Sequence, residues 1–161
     1  MRESLIQVVP LPDVAATEAL GGALAQALPA DSRGLSILLQ GELGSGKSTL
    51  ARAMLRALGH DGSVPSPTYT LVEPYNFAEY VAYHIDLYRI SDPGELDFLG
   101  WSDLEDGLRL IEWPERVPGL LRQADLLIRL TYEGSGRAAE LSGLSARGNR
   151  LLAALLDSKE S

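Results

Sequence analysis

Apolar and polar residues follow two periods along this chain, and the switches between them mark its elements. Leu20, Leu24 and Leu28 recur at helical spacing, and Asp13 stands where the cap of that helix belongs. The run Leu35-Ser36-Ile37-Leu38-Leu39-Gln40, opened by Gly34, is short and nearly continuously apolar, which predicts a buried strand. Residues 47–58 return to the helical period, and Gly59 supplies the stop. Segments 68–75 and 80–86 are rich in Tyr, Val and Thr and predict two strands joined by a turn near Asn76. A short helix is expected over 93–99, capped by Asp92, and a compact apolar strand over 108–112. Residues 125–133 and 137–141 flank Gly134-Ser135-Gly136, a hairpin signal. A last helix over about 145–156 closes the chain. Strands alternating with helices, then a hairpin, predict an α/β fold whose sheet carries some antiparallel strands.

The 161 residues fit one domain, expected over 1–157, with a polar tail at 158–161. The absence of Cys excludes a disulfide framework, a thiolate metal site and a Cys nucleophile. No apolar run is long enough for a membrane span, and the first residues lack a sustained apolar signal region, so a cytoplasmic protein is expected. The net charge of −8 argues against an intrinsic grip on nucleic acid, because neutralising phosphates needs a basic surface.

One motif changes the picture. Gly41-Glu42-Leu43-Gly44-Ser45-Gly46-Lys47-Ser48 matches the phosphate-binding pattern GxxxxGK[ST], set between a predicted strand and a predicted helix. Its glycines let backbone N–H groups turn around phosphates, and the helix N-terminus adds free donors and a dipole. Lys47 supplies a charge for the β- and γ-phosphates, and Ser48 a hydroxyl for Mg²⁺. From the chain's own Gly, Lys and Ser/Thr frequencies, roughly 0.002 chance matches are expected. Lys47 is one of only two lysines in the sequence, the other being Lys159. The chain lacks any Asn-Lys pair of the kind that reads guanine, so ATP is favoured over GTP.

A phosphate loop also needs carboxylates for the metal and for the water or acceptor. Asp86 and Glu112 each end a predicted strand, where ligands of open α/β sheets bind. The plainer reading is that each acid caps its strand or pairs with Arg89 or Arg116.

Four further segments, Ser66-Pro67-Thr68-Tyr69-Thr70-Leu71-Val72, His84-Ile85-Asp86-Leu87-Tyr88-Arg89, Asp92-Pro93-Gly94-Glu95-Leu96 and Glu112-Trp113-Pro114-Glu115, together resemble the TsaE family. The resemblance runs from about Leu20 to Leu156. It implies a single P-loop domain, with a mixed, mostly parallel sheet of about seven strands flanked by helices. It also implies weak Mg²⁺-dependent ATP hydrolysis in threonylcarbamoyl modification of the tRNA adenosine beside the anticodon, with TsaD- and TsaB-like partners. By position, Lys47, Asp86 and Glu112 become the candidate catalytic residues, and Ser48, Asp86 and Glu112 the metal ligands. Glu42, Leu43, Gly44, Ser45, Gly46, Lys47, Ser48, Thr49, Thr68 and Trp113 become the nucleotide contacts. Thr68 lies in a switch-like loop. Ser48 stands where Thr is usual in the family, and Gly94 replaces an acidic residue.

Other residues invite plainer readings. His60 and His84 are not spaced as a metal pair; His60 reads as a turn residue and His84 as strand packing. Tyr69, Tyr75, Tyr80, Tyr83 and Tyr88 read as sheet packing, and Trp101 as either core or partner contact. A small-molecule P-loop kinase is the alternative function, weakened by the lack of an Arg-rich lid segment after the second helix; a GTPase-like switch is third.

Overall fold

The computed structural model describes residues 5–68 and 70–160; Tyr69 and the chain's first and last residues lie outside them. The strands are β1 Ile6–Leu11, β2 Ser36–Gly41, β3 Val72–Asn76, β4 Val81–Asp86, β5 Leu108–Glu112, β6 Leu126–Glu133 and β7 Gly136–Gly143, and the helices are α1 Val14–Ala27, α2 Lys47–Ala57 and α3 Ala146–Glu160. They form one seven-stranded sheet in the order β1-β7-β6-β2-β5-β4-β3. Strands β6, β2, β5 and β4 are mutually parallel. The pairs β1·β7, β6·β7 and β3·β4 are antiparallel, so five of the seven strands point one way, as the mostly parallel expectation required.

The sheet separates two cores. On one face, α1, α2 and α3 bring Leu24, Leu50, Met54, Leu55 and Leu152 against Ile37, Leu39, Leu110 and Ile128. On the other, irregular chain and short 3₁₀ turns bring Ile90, Leu96, Trp101, Leu104 and Leu120 against Leu38, Ile85, Ile111 and Leu127. Trp101 is thereby a core residue, 9% exposed. Asp13 caps α1 by accepting from Ala16 N at 2.8 Å, as its position implied. The hairpin turn is Gly134-Ser135, with Gly134 at φ 60°.

Three sequence expectations shift. The strand expected from residue 68 begins only at Val72, because Leu71 N donates to Pro67 O at 2.7 Å and Leu71 sits at φ 69°. Thr68 consequently lies in a turn. The segment over 93–99 is a 3₁₀ helix, still capped by Asp92. Helix α3 runs on to Glu160, past the stop expected near residue 156. The edge strand β1 carries no clear strand signal, since Pro10 interrupts it; an edge tolerates that proline, and Val9 and Leu11 alternate inward.

Helices α1 and α2 pack tightly at Gly21, where an added Cβ would lie 2.6 Å from Ala53 Cβ and 2.9 Å from Leu50 O. Gly21→Ala should therefore destabilise the protein by about 1–3 kcal/mol despite alanine's better helix propensity. Urea unfolding reads this directly, and wild-type stability would show that the two helices separate freely.

Candidate phosphate and metal site

Strand β2 ends at Gly41 and α2 begins at Lys47, so the loop between them lies at the carboxyl edge of the parallel strands. Gly44 and Gly46 adopt φ 78° and 108°, conformations that side-chain-bearing residues rarely take. The first residues of α2, Lys47, Ser48 and Thr49, whose amides have no intrahelical partner, line the same cleft as the loop. That cleft has a volume of about 360 Å³ and is walled by loop and α2 residues together with Thr68, Asp86, Tyr88, Glu112 and Trp113. The structure thus gathers Leu43, Gly44, Gly46, Lys47, Ser48, Thr49, Thr68, Asp86, Glu112 and Trp113, all singled out from sequence, around one opening. Glu42 and Ser45 lie in the loop outside its lining. Ser45 Oγ is buried without a hydrogen-bond partner among the described residues.

Lys47 is 5% exposed and turned onto its own loop: Nζ donates to Gly41 O and, at 3.1 Å, to Glu42 O. The same ammonium lies 4.0 Å from the centroid of the Trp113 ring. Burial pulls Lys47 below its ordinary pKa, opposed by the charges of Glu112, Glu115 and Asp86. Trp113 reaches this position because its backbone is left-handed, φ 58° and ψ 48°, a strain of about 1–3 kcal/mol for a non-glycine residue. Its ring also contacts Tyr88, with centroids 4.9 Å apart, and the Arg116 guanidinium lies 5.1 Å over Tyr88. Tyr88, read as sheet packing, is instead 41% exposed at the cleft rim, because the chain has left β4 two residues earlier.

The two acids come together through strand register. Asp86 and Glu112 are partners across parallel β4 and β5, so their side chains emerge on the same face at adjacent strand ends. Glu112 accepts from Ser48 Oγ at 2.9 and 3.2 Å, and its Oε2 is 2.6 Å from His84 Nε2. Asp86 instead accepts from Tyr88 N at 2.8 Å and from Thr68 Oγ1 at 3.4 Å. Burial is the largest influence on Asp86 and raises its pKa; the neighbouring Glu112 charge pushes the same way. His84 is where strand packing predicts, yet its ring nitrogen bonds Glu112, a contact across strands that period-two reading does not register.

Among the described residues no group of three or more His, Cys, Asp or Glu could cage a metal by itself. A donor set of one hydroxyl and two carboxylates beside a phosphate cradle fits Mg²⁺, which keeps waters and takes phosphate oxygens. Among the same residues no helix is long and apolar enough to cross a membrane.

The sequence matches the family model "Threonylcarbamoyl adenosine biosynthesis protein TsaE" over residues 11–139. A tRNA threonylcarbamoyladenosine biosynthesis protein TsaE from Haemophilus influenzae is 45% identical over 124 residues, covering 76% of this chain and 78% of the relative. One of the same name from a Nostoc species is 35% identical over 150 residues, 89% of this chain and 90% of the relative. The crystal structure of YdiB from Bacillus subtilis superposes with a TM-score of 0.77 at 22% identity, covering 99% of each chain, and so shares the fold.

Because the fold raises the Asp86 pKa, ionised Asp86 destabilises the protein, and the loss grows as pH rises from the ordinary carboxylate range through the raised value. Asp86→Asn should therefore melt higher than wild type at neutral pH without ligand, with the gap closing as pH falls through the raised value toward about 4. Melting curves across pH test this; an equal or lower melting temperature at neutral pH would contradict it.

Proposed function

The chain belongs to the TsaE family of threonylcarbamoyl adenosine biosynthesis proteins, and from that premise we propose that it is the Mg²⁺-dependent ATPase subunit of the tRNA-modifying assembly. It works in the cytoplasm with TsaD- and TsaB-like partners. The observation that carries this reading is the hydrogen bond from Ser48 to Glu112 beneath the loop, with Asp86 at the next strand end. Ser48 has one proton, and it is directed at Glu112, which leaves the hydroxyl's lone pairs for the metal. Ser48, with the two acids beside it, would hold Mg²⁺, which would supply positive charge against the charge developing on the phosphate oxygens. Glu112 thus supports the metal side, while Asp86, at the adjacent strand end and bonded by Thr68, is suited to orienting a water. Lys47 exchanges the Gly41 and Glu42 carbonyls for phosphate oxygens, which also draws it off the Trp113 ring.

The charge of −8 supports a division of labour in which the partners hold the tRNA. This subunit then contributes a nucleotide-dependent step, biasing the assembly to the extent that its two nucleotide states differ in partner contacts.

Phosphate release from ATP without any acceptor tests the reading and separates it from a small-molecule kinase. The isolated protein should turn over slowly and the partners should accelerate it. Lys47→Ala should lower turnover by about a hundredfold or more and weaken ATP binding. Wild-type turnover in Lys47→Ala would sink the assignment.

A further inference from the structure

His84 sits inside β4 at 1% exposure, on the face that carries Asp86 and the helix-side core. Its Nε2 is 2.6 Å from Glu112 Oε2, while Nδ1 is buried without a hydrogen-bond partner among the described residues. Leaving a buried polar atom unpaired is costly, so an apolar side chain would pack this position better. The imidazole is explained by what its other nitrogen does. A glutamate's terminal torsion is broad, and Ser48 alone contacts both oxygens, at 2.9 and 3.2 Å, without fixing either. The Nε2–H bond fixes Oε2.

We infer that His84 is a positioning residue: its Nε2–H holds the Glu112 carboxylate so that the Ser48 proton stays on Glu112 and the Ser48 lone pairs face the metal of the bound nucleotide. Without it, Glu112 is free to rotate toward the Lys47 ammonium, and Ser48 loses its defined orientation. The inference rests on the Mg²⁺–ATP reading above and adds a residue that the loop motif does not contain.

Two variants isolate the donor from the packing. His84→Gln keeps an N–H at similar reach, whereas His84→Met fills the space with an adaptable apolar chain and no donor. The primary readout is the Mg²⁺ concentration giving half-maximal binding of a fluorescent, non-hydrolysable ATP analogue; steady-state phosphate release is the second. His84→Met should raise the Mg²⁺ half-saturation and lower kcat by about 10–100-fold, with KM changing by less than roughly twofold. His84→Gln should recover most of both losses. A wild-type protein that binds the analogue without responding to Mg²⁺ refutes the metal reading itself. A wild-type protein that responds to Mg²⁺ but does not hydrolyse ATP refutes only the activity, and the binding readout still decides His84. A folded His84→Met protein with wild-type half-saturation overturns the inference, as does a His84→Gln protein no better than His84→Met.

Discussion

The site depends on one buried carboxylate. Glu112 is 3% exposed, and a charge so placed must be hydrogen-bonded or it costs several kcal/mol. Its partners come from two other elements, Ser48 at the start of α2 and His84 in β4. Each charge-assisted bond contributes about 1.5–3 kcal/mol, and together they tie the phosphate-loop helix to two central strands. The cradle and the acids are therefore held in register by the sheet and are not left to loop conformation. That rigidity is what a metal–phosphate site needs, since small displacements there cost large factors in rate.

Around this anchor the remaining charges are only partly compensated. Burial and the Glu112 charge together disfavour ionised Asp86, while Lys47 is drawn below its ordinary pKa and rests on backbone carbonyls and an aromatic face. On the function proposed above, a divalent cation beside these carboxylates and an anionic polyphosphate near the ammonium would relieve both strains at once. The left-handed Trp113 belongs to the same arrangement, because its strained backbone presents the ring to Lys47 and Tyr88. Strain of this kind persists where the surrounding contacts over-determine it.

What was legible in the sequence is what local spacing encodes. The phosphate loop, the Asp13 cap, β2, β5, α2 and the Gly134-Ser135 hairpin follow from motif, period and turn chemistry, and each lies where expected to within two residues. The resemblance carried by the Ser-Pro-Thr, His-x-Asp and Glu-Trp-Pro-Glu segments supplied the sheet's general plan and the cleft residues. What failed was non-local. His84 packs within β4 as its spacing predicts, but its bond to Glu112 is not legible because that partner lies 28 residues on, across a strand pairing. Tyr88 and Trp113 acquire their contacts from a chain that leaves the sheet and turns left-handed, which no periodicity announces. The beginning of β3 moved because a turn from Pro67 to Leu71 competes with the strand preference of Thr68.

On the function proposed above, Ser48, oriented by Glu112, and Lys47, released from its own loop, receive a Mg²⁺-bound ATP in the cleft beside Asp86. A crystal structure with Mg²⁺ and a non-hydrolysable ATP analogue tests it most directly. The metal is expected on Ser48 Oγ, with Glu112 still accepting the Ser48 proton and Lys47 Nζ moved from the Gly41 and Glu42 carbonyls to phosphate oxygens. A nucleotide bound elsewhere, or Lys47 still on those carbonyls with the metal away from Ser48, would contradict it.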